Sequence, residues 1–367
     1  MTGASYPKLT GIVESPRLRS LYEIDISTRE ETTFKEDLML GSYGPIATGL
    51  LVASCLFTTA ARADGLNPGS LLIFPEYDNS PGVYTVLTVT NVDSQDSIYL
   101  EFSYVSVSDS GGDPLPCIKS TQTELLTPRD SLTLLTAAHT PSFGEGFVYV
   151  FAKNQAGDPI AFDFLVGSHL AVDGMQNFSY STNPFTFGSP QPKGTSTELS
   201  GNGVRDLDGW EYDPAPSSAL FPRFLGQDPS RQSTLLLIGL TGGAAFDTRV
   251  GLEMFNDNEV LFTTEYVFRC WDRVPLTSIS GFFTQSFLQM TNEDPTEIVG
   301  APGIDSGWFR IEGISASSST TTLPNPVVLG VLYERDTVSG GSAADLPFKM
   351  GSNHNGSLFP TSSNGSF

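Results

Sequence analysis

Residues 64–367 carry hydrophobic patterns of strands and lack those of helices, and this constrains the fold more than any other feature. Apolar and other side chains alternate from Ile98 to Tyr104, the period of two expected for a half-buried antiparallel strand. Residues 147–152 and 327–332 are continuous apolar runs, as in strands buried on both faces. Clusters of Gly, Pro, Asn and Asp separate these segments. The pattern predicts an all-β fold.

The sequence also contains a weak internal repeat. Phe74-Pro75 followed by residues 85–90 is matched by Phe221-Pro222 followed by residues 234–238. Further matches come in the same order: 99–102 with 251–254, Cys117 with Cys270, 146–149 with 307–310, and 158–162 with 325–329. The spacing between matched segments grows along the chain, as loop insertions between shared strands would produce. We therefore predict two tandem antiparallel β-sandwich domains, related by a diverged duplication.

Composition predicts the domain limits. Residues 1–63 form an N-terminal extension with a signal-peptide-like segment, and residues 64–180 and 220–338 form the two sandwich domains. Between them, residues 181–219 are rich in Pro, Gly, Ser and Asn, which is typical of a linker. Residues 339–367 lose the hydrophobic pattern and are predicted to be a disordered tail.

The N-terminal extension contains an uncharged stretch, Leu38 to Ala61, that ends in Ala61-Arg62-Ala63 before Asp64. Small residues at this spacing behind an apolar run are typical of a secretory cleavage site, so we expect cleavage before Asp64 and export. The 37 residues that precede the stretch make a long leader for a signal peptide, and translation from Met39 instead of Met1 is the alternative. If the stretch is not cleaved, its 24 residues are long enough to span a bilayer and anchor the protein.

The residues Val52-Ala53-Ser54-Cys55 within this stretch resemble the lipobox of bacterial lipoproteins. The resemblance implies cleavage before Cys55 and attachment of lipid to its thiol. The chain would then be a membrane-anchored lipoprotein.

The charge of the expected mature chain limits its partners. From Asp64 onward there are 13 Lys plus Arg against 34 Asp plus Glu, a net charge of −21. Phosphate backbones and anionic lipid surfaces repel such a chain. We expect no nucleic acid partner and no anionic membrane surface, whereas a glycan, a protein or a second copy of the chain remains compatible.

Cys117 and Cys270 are the two cysteines of the expected mature chain. Neither belongs to a CxxC motif, which excludes the common zinc and redox patterns. The pair forms either one disulfide or two separate buried thiols. Because the repeat matches one cysteine with the other, a disulfide would have to join the two domains.

An acidic segment in the predicted linker is the strongest candidate site. It contains four carboxylates in eight residues: Asp206, Asp208, Glu211 and Asp213. Calcium needs several oxygen ligands, so these residues are candidate calcium ligands, although the spacing does not fit the 12-residue helix-loop-helix pattern. Trp210 and Tyr212 in the same segment are candidates for stacking on a sugar or for packing between the domains.

Motifs for catalysis are weak in this sequence. The three histidines, His139, His169 and His354, form no closely spaced pair, and neither a nucleophile elbow nor a phosphate-binding loop occurs. Strand residues such as Asp163, Glu253 and Glu265 are compatible with the two carboxylates of a glycosidase. We therefore expect an exported non-catalytic binding or structural protein of the cell envelope or extracellular space. A secreted hydrolase acting on polysaccharide is the alternative.

Overall fold

The computed structural model describes residues 67–293, 303–338 and 342–358. They belong to one compact unit that spans residues 64–367. The predicted export segment and its sites at Cys55, Ala61, Ala63 and Asp64 lie outside the described residues. Within the described ranges, no helix is long and apolar enough to cross a membrane.

The first half of the fold comprises residues 71–187. Its strands are β1 (Leu71–Asp78), β2 (Val83–Asn91), β3 (Ile98–Asp109), β4 (Pro114–Leu126), β5 (Ser131–Leu135), β6 (Phe143–Lys153), β7 (Leu165–Asp173), β8 (Phe178–Thr182) and β9 (Phe185–Phe187). A one-turn helix, α1 (Thr136–His139), connects β5 to β6.

The second half comprises residues 218–350. It follows β10 (Arg205–Leu207) and contains β11 (Ser218–Leu225), β12 (Arg231–Gly239), β13 (Asp247–Phe255), β14 (Leu261–Arg269), β15 (Trp271–Pro275), β16 (Ser306–Ser317), β17 (Thr322–Pro324), β18 (Val328–Asp336), β19 (Ser342–Asp345) and β20 (Phe348–Met350). The short helices α2 (Leu276–Ile279) and α3 (Gln285–Thr291) flank a 3₁₀ turn, Gly281–Phe283, and β21 (Gly356–Leu358) pairs with β10.

In the part of the chain that the structure describes, the strands form four large antiparallel sheets. Sheet I has the order β5-β2-β7-β8 and sheet II the order β4-β3-β6-β1-β9, both in the first half. Sheet III has the order β15-β12-β18-β19 and sheet IV the order β14-β13-β16-β11-β20, with β17 paired to β16, all in the second half. The prediction of an all-β chain with antiparallel sheets is confirmed.

The two halves repeat the same strand order, with β11 in the place of β1 and β12 in the place of β2. Both first strands have a β-bulge at the same point, between Phe74 and Tyr77 in β1 and between Phe221 and Phe224 in β11. Each bulge contains the proline of the Phe-Pro pair. Proline lacks the N–H needed for a regular ladder, so the bulge accommodates it.

Among the described residues, three hydrophobic cores lie between successive sheets. Sheets I and II share one core, and sheets III and IV share another. A third core joins sheet II to sheet III and includes Ile73, Tyr149, Leu236 and Val331. Each large apolar side chain buried there contributes about 2 kcal/mol. The sheets thus follow one another in a propeller-like series of four, rather than as two separate sandwiches.

Two regions differ from the sequence-based expectation. Ile98–Tyr104 was expected to be half-buried, but Glu101 and Ser103 are also buried because the third core and its polar rim cover that face of sheet II. Residues 342–358, predicted to lie in a disordered tail, contain β19, β20 and β21. These strands are too short to show a period. Pairing orders them: β19 pairs with the preceding strand β18, whereas β20 and β21 pair with β11 and β10, far away in sequence.

A disulfide joins Cys117, near the beginning of β4, to Cys270, which follows the end of β14. Their Cα atoms are 6.4 Å apart. The two positions are not equivalent in the two halves, although the sequence repeat matched them. The bond therefore connects the halves across the third core, which includes both cysteines.

We predict that reduction of this disulfide lowers the melting temperature. The bond closes a loop of 153 residues, and loss of a cross-link over so long a loop costs about 4 kcal/mol. Thermal unfolding followed by circular dichroism, with and without a reductant, measures the effect. The double variant Cys117→Ala/Cys270→Ala is the control, since its melting temperature should not respond to the reductant. Equal melting temperatures for the oxidised and reduced wild type would contradict the prediction.

Candidate functional site: the cleft between the halves

The segment from Cys270 to Arg273 brings the second half against the first. Next to the disulfide at Cys270, the Trp271 indole Nε1 donates a hydrogen bond of 2.8 Å to the carbonyl oxygen of Pro75. This oxygen is available because the bulge in β1 interrupts the ladder there. Trp271 is 5% exposed, so the bond is shielded from water.

Arg273 extends from the same segment into a group of three carboxylates of the first half. Its Nη2 lies 2.9 Å from Asp78 Oδ2 and also contacts Glu145, and its Nη1 lies 3.8 Å from Glu76 Oε2. Asp78 and Glu76 are buried. A buried carboxylate is costly unless a cation compensates it, so this cluster fixes the position of β15 relative to β1 and β6.

Glu76 is the most perturbed of these carboxylates. Burial raises its pKa above the usual 4.5, and the charge of Arg273 and a hydrogen bond from Tyr180 oppose the rise only in part. The Tyr180 hydroxyl donates to Oε1, whereas Oε2 accepts no hydrogen bond. The environment therefore favours the neutral acid.

Aromatic rings continue the cleft beyond Glu76. Tyr180 stacks on Tyr333 with centroids 5.1 Å apart and planes 12° apart, and Phe178 packs 5.2 Å from Tyr333. Tyr180 is buried, whereas Phe178 and Tyr333 are half-buried. Behind them, His169 is fully buried, and burial lowers its pKa to about 4, so its ring is neutral at physiological pH.

These groups border a cavity of about 430 Å³ between the halves. Its lining comes from both halves: Glu76, Asp78, Ser80, Val83, Ala171, Asp173, Gln176 and Phe178 from the first, and Gln232, Thr234, Arg273, Pro275, Tyr333 and Arg335 from the second. Cavities of this size and mixed lining are typical of sites for small molecules. We refer to this cavity as the inter-half cleft.

The predicted acidic segment forms a tight loop in which carboxylates bind backbone amides. Asp208 accepts from the amides of Trp210 and Glu211 at 2.7 and 2.9 Å. Glu211 is 1% exposed and accepts from the amides of residues 199, 200 and 206, and Asp213 accepts from that of residue 188. Burial, together with the charges of Glu211 and Asp208, raises the pKa of Asp206.

No group of three acidic, His or Cys residues in the described part of the chain is arranged to hold a metal ion. The calcium ligands Asp206, Asp208, Glu211 and Asp213 therefore stay a prediction. The aromatic pair is divided: Trp210 is 71% exposed, whereas Tyr212 is fully buried with its hydroxyl 3.0 Å from Thr197 Oγ1. Of the two, Trp210 is accessible to a ligand.

The carboxylates considered for catalysis lie in two places: Asp163 is apart from Glu253 and Glu265, which border the same cavity. Asp163 accepts hydrogen bonds from Ser70 and Ser189 within the first half. Glu253 and Glu265 border a second cavity, of about 450 Å³, on sheet IV. Each pairs with an arginine there, Glu253 with Arg310 at 2.7 Å and Glu265 with Arg249 at 2.6 Å.

Sequence reasoning missed the residues of the inter-half cleft, although one signal was available. Glu76 and Asp78 directly follow the Phe-Pro pair of the first repeat, where the second repeat has Arg223 and Leu225. An acidic pair that only one copy of a repeat carries points to a role outside the shared fold. Its partner, Arg273, is too distant in sequence to be recognised without the structure.

Comparisons of this chain with models of protein families, with curated protein sequences and with solved structures find no match.

We predict that Arg273→Gln destabilises the protein by about 3 kcal/mol at pH 7, because it leaves three neighbouring carboxylates without a cation. The loss should be smaller at pH 4, where Glu76, whose pKa burial raises, is protonated and no longer repels its neighbours. Urea unfolding at both pH values measures the change. Arg269→Gln is the matched control, since its ion pair with Asp247 is half exposed and is worth less than about 1 kcal/mol. Equal losses in the two variants would show that the cluster does not hold the halves together.

Proposed function

We propose that this chain is an exported, non-catalytic binding protein of the cell envelope or extracellular space, and that its ligand lies in the inter-half cleft. One observation carries the proposal: the cavity of about 430 Å³ combines half-buried aromatic faces with amide and guanidinium groups. A saccharide presents C–H faces to aromatic rings and hydroxyls to polar groups. We therefore propose a glycan as the ligand.

The contacts of the cleft carboxylates favour binding over hydrolysis. A glycosidase needs one carboxyl group to protonate the leaving oxygen and another that is free to attack or to activate water. Here Asp78 and Glu145 pair with Arg273. Glu76 is 3% exposed and already accepts a hydrogen bond from Tyr180. A substrate therefore has little access to either kind of group.

Export is supported by the disulfide and by the charge. A buried disulfide that joins two halves of a chain is typical of oxidising compartments outside the cytoplasm. The cleavage pattern before Asp64 and the net charge of −21 after it agree with such a location. Retention by residues 38–61, or by lipid on Cys55, would place the same binding cleft at a membrane surface.

We further propose that the two halves, each a pair of sheets around one core and joined by the third core, arose by duplication of one unit. The matching strand orders and the matching bulges support this origin. If the protein has a structural role instead, we propose that it self-associates through β4 and β14, which lie at the ends of sheets II and IV. The free edge of such a strand can pair with a strand of another copy.

A secreted hydrolase is the second candidate function, and one observation favours it. The raised pKa of Glu76 is the property expected of a general acid. Asp78, a second carboxylate, lies in the same cleft, where it pairs with Arg273. If the protein is a hydrolase, a substrate must displace Tyr180 from Glu76.

We predict that Glu76→Gln retains saccharide binding and gains stability over the wild type as the pH rises above 4.5. The wild-type acid holds its proton longer in the folded than in the unfolded state, so its contribution to stability is lost at higher pH, whereas the amide does not titrate. Thermal shift with a panel of oligosaccharides measures binding, and a reducing-sugar assay on the same panel measures hydrolysis.

The two candidate functions differ in this experiment. If the protein only binds saccharides, a bound saccharide should raise the melting temperature of both the wild type and Glu76→Gln. Neither protein should then release reducing ends. Reducing ends that appear with the wild type and vanish with Glu76→Gln would instead establish the hydrolase.

A further inference from the structure

The charges of the inter-half cleft are unevenly compensated. Arg273 is surrounded by carboxylates, and Asp173 Oδ1 accepts from the backbone amides of Met175 and Gln176 at 2.9 and 3.0 Å. Arg335, in contrast, forms no ion pair with a carboxylate of the described residues. It lies on β18, and its guanidinium borders the cavity. Among the described residues, Arg335 is therefore a cation of the cleft that no carboxylate pairs with.

Two glutamines hold the Arg335 guanidinium in place. Gln232 Oε1 accepts from Nε at 3.0 Å and from Nη2 at 2.5 Å, and Gln176 Oε1 accepts from Nη1. These amide oxygens orient the group without neutralising it, because they carry no net charge. A guanidinium has five N–H donors, so these contacts leave donors for a ligand.

Phe178 supports the same guanidinium from one face. The Arg335 Cζ atom lies 5.9 Å from the centroid of the Phe178 ring, within the range of a cation–π contact. Tyr333 packs beside Phe178. An oriented planar fork next to half-buried rings suits a ligand that has both an anionic group and a ring with an apolar face.

We propose that Arg335 binds the carboxylate of an acidic saccharide, such as a uronic acid unit, while the sugar ring lies against Phe178 and Tyr333. This inference rests on the proposed binding function and names the ligand class of the same cleft. The negative charge of the whole chain does not prevent such binding. At physiological ionic strength, exposed charges more than about 8 Å away are largely screened. The carboxylates that line the cleft already have partners, since Glu76 and Asp78 contact Arg273 and Asp173 accepts from backbone amides.

Isothermal titration calorimetry with an oligomer of a uronic acid, and with the neutral hexose oligomer of the same length and linkage, tests the inference. The wild type is expected to bind the acidic oligomer at least about tenfold more tightly, since a hydrogen-bonded charge pair discriminates to this extent. Arg335→Gln should remove the preference. Arg335→Lys should restore only part of it, because a lysine keeps the charge but not the fork.

Arg129→Gln is the matched control, because it makes the same change of charge at an exposed loop of the first half. It should leave the affinity for both oligomers unchanged, and equal melting temperatures for the two Gln variants would show that both are folded.

The results separate the preference for acidic saccharides from the saccharide-binding function itself. If the wild type binds both oligomers equally, or if Arg335→Gln keeps the preference for the acidic one, the inference is wrong while the saccharide-binding function stands. If the wild type binds no saccharide in the panel, the proposed function fails as well.

Discussion

The ion cluster around Arg273 is the interaction on which the relative position of the two halves depends. Placing three carboxylates next to one another, two of them buried, is unfavourable unless a cation lies among them, and that cation comes from the other half of the chain. Two nearby residues add further contacts to the first half. Trp271 donates a hydrogen bond to the Pro75 carbonyl oxygen, and Cys270 forms the disulfide. A short segment thus provides a covalent bond, a hydrogen bond and an ion cluster, and the inter-half cleft opens beside it.

The contact between the halves also explains why equivalent positions carry different side chains. By strand register, Thr88 on sheet I is equivalent to Leu236 on sheet III. Arg310 on sheet IV is likewise equivalent to Tyr149 on sheet II. Leu236 and Tyr149 belong to the third core, whereas Thr88 and Arg310 are on faces that no other sheet covers among the described residues. Polar residues on the outermost faces of a stack keep it from growing, as terminal repeats do in repeat proteins.

Much of the fold could be predicted from the sequence, but the site could not. Alternation and turn residues indicate strands because they depend on neighbours in sequence, and the Phe-Pro pairs identified equivalent bulged strands. The cleft depends instead on pairs such as Asp78 with Arg273, which are 195 residues apart and show no local pattern. The calcium ligands suggested for the loop around Glu211 stay a prediction, and composition does not reveal that Glu211 and Asp208 also bind the loop's own backbone amides.

If the two halves form one unit with a fixed cleft between them, they should unfold together. Differential scanning calorimetry of residues 64–367 under oxidising conditions measures this. We expect a single transition with equal calorimetric and van't Hoff enthalpies, because the third core and the Arg273 cluster couple the halves. Two resolved transitions, each with the enthalpy of one half, would show that the halves unfold independently and that the cleft is not a fixed site.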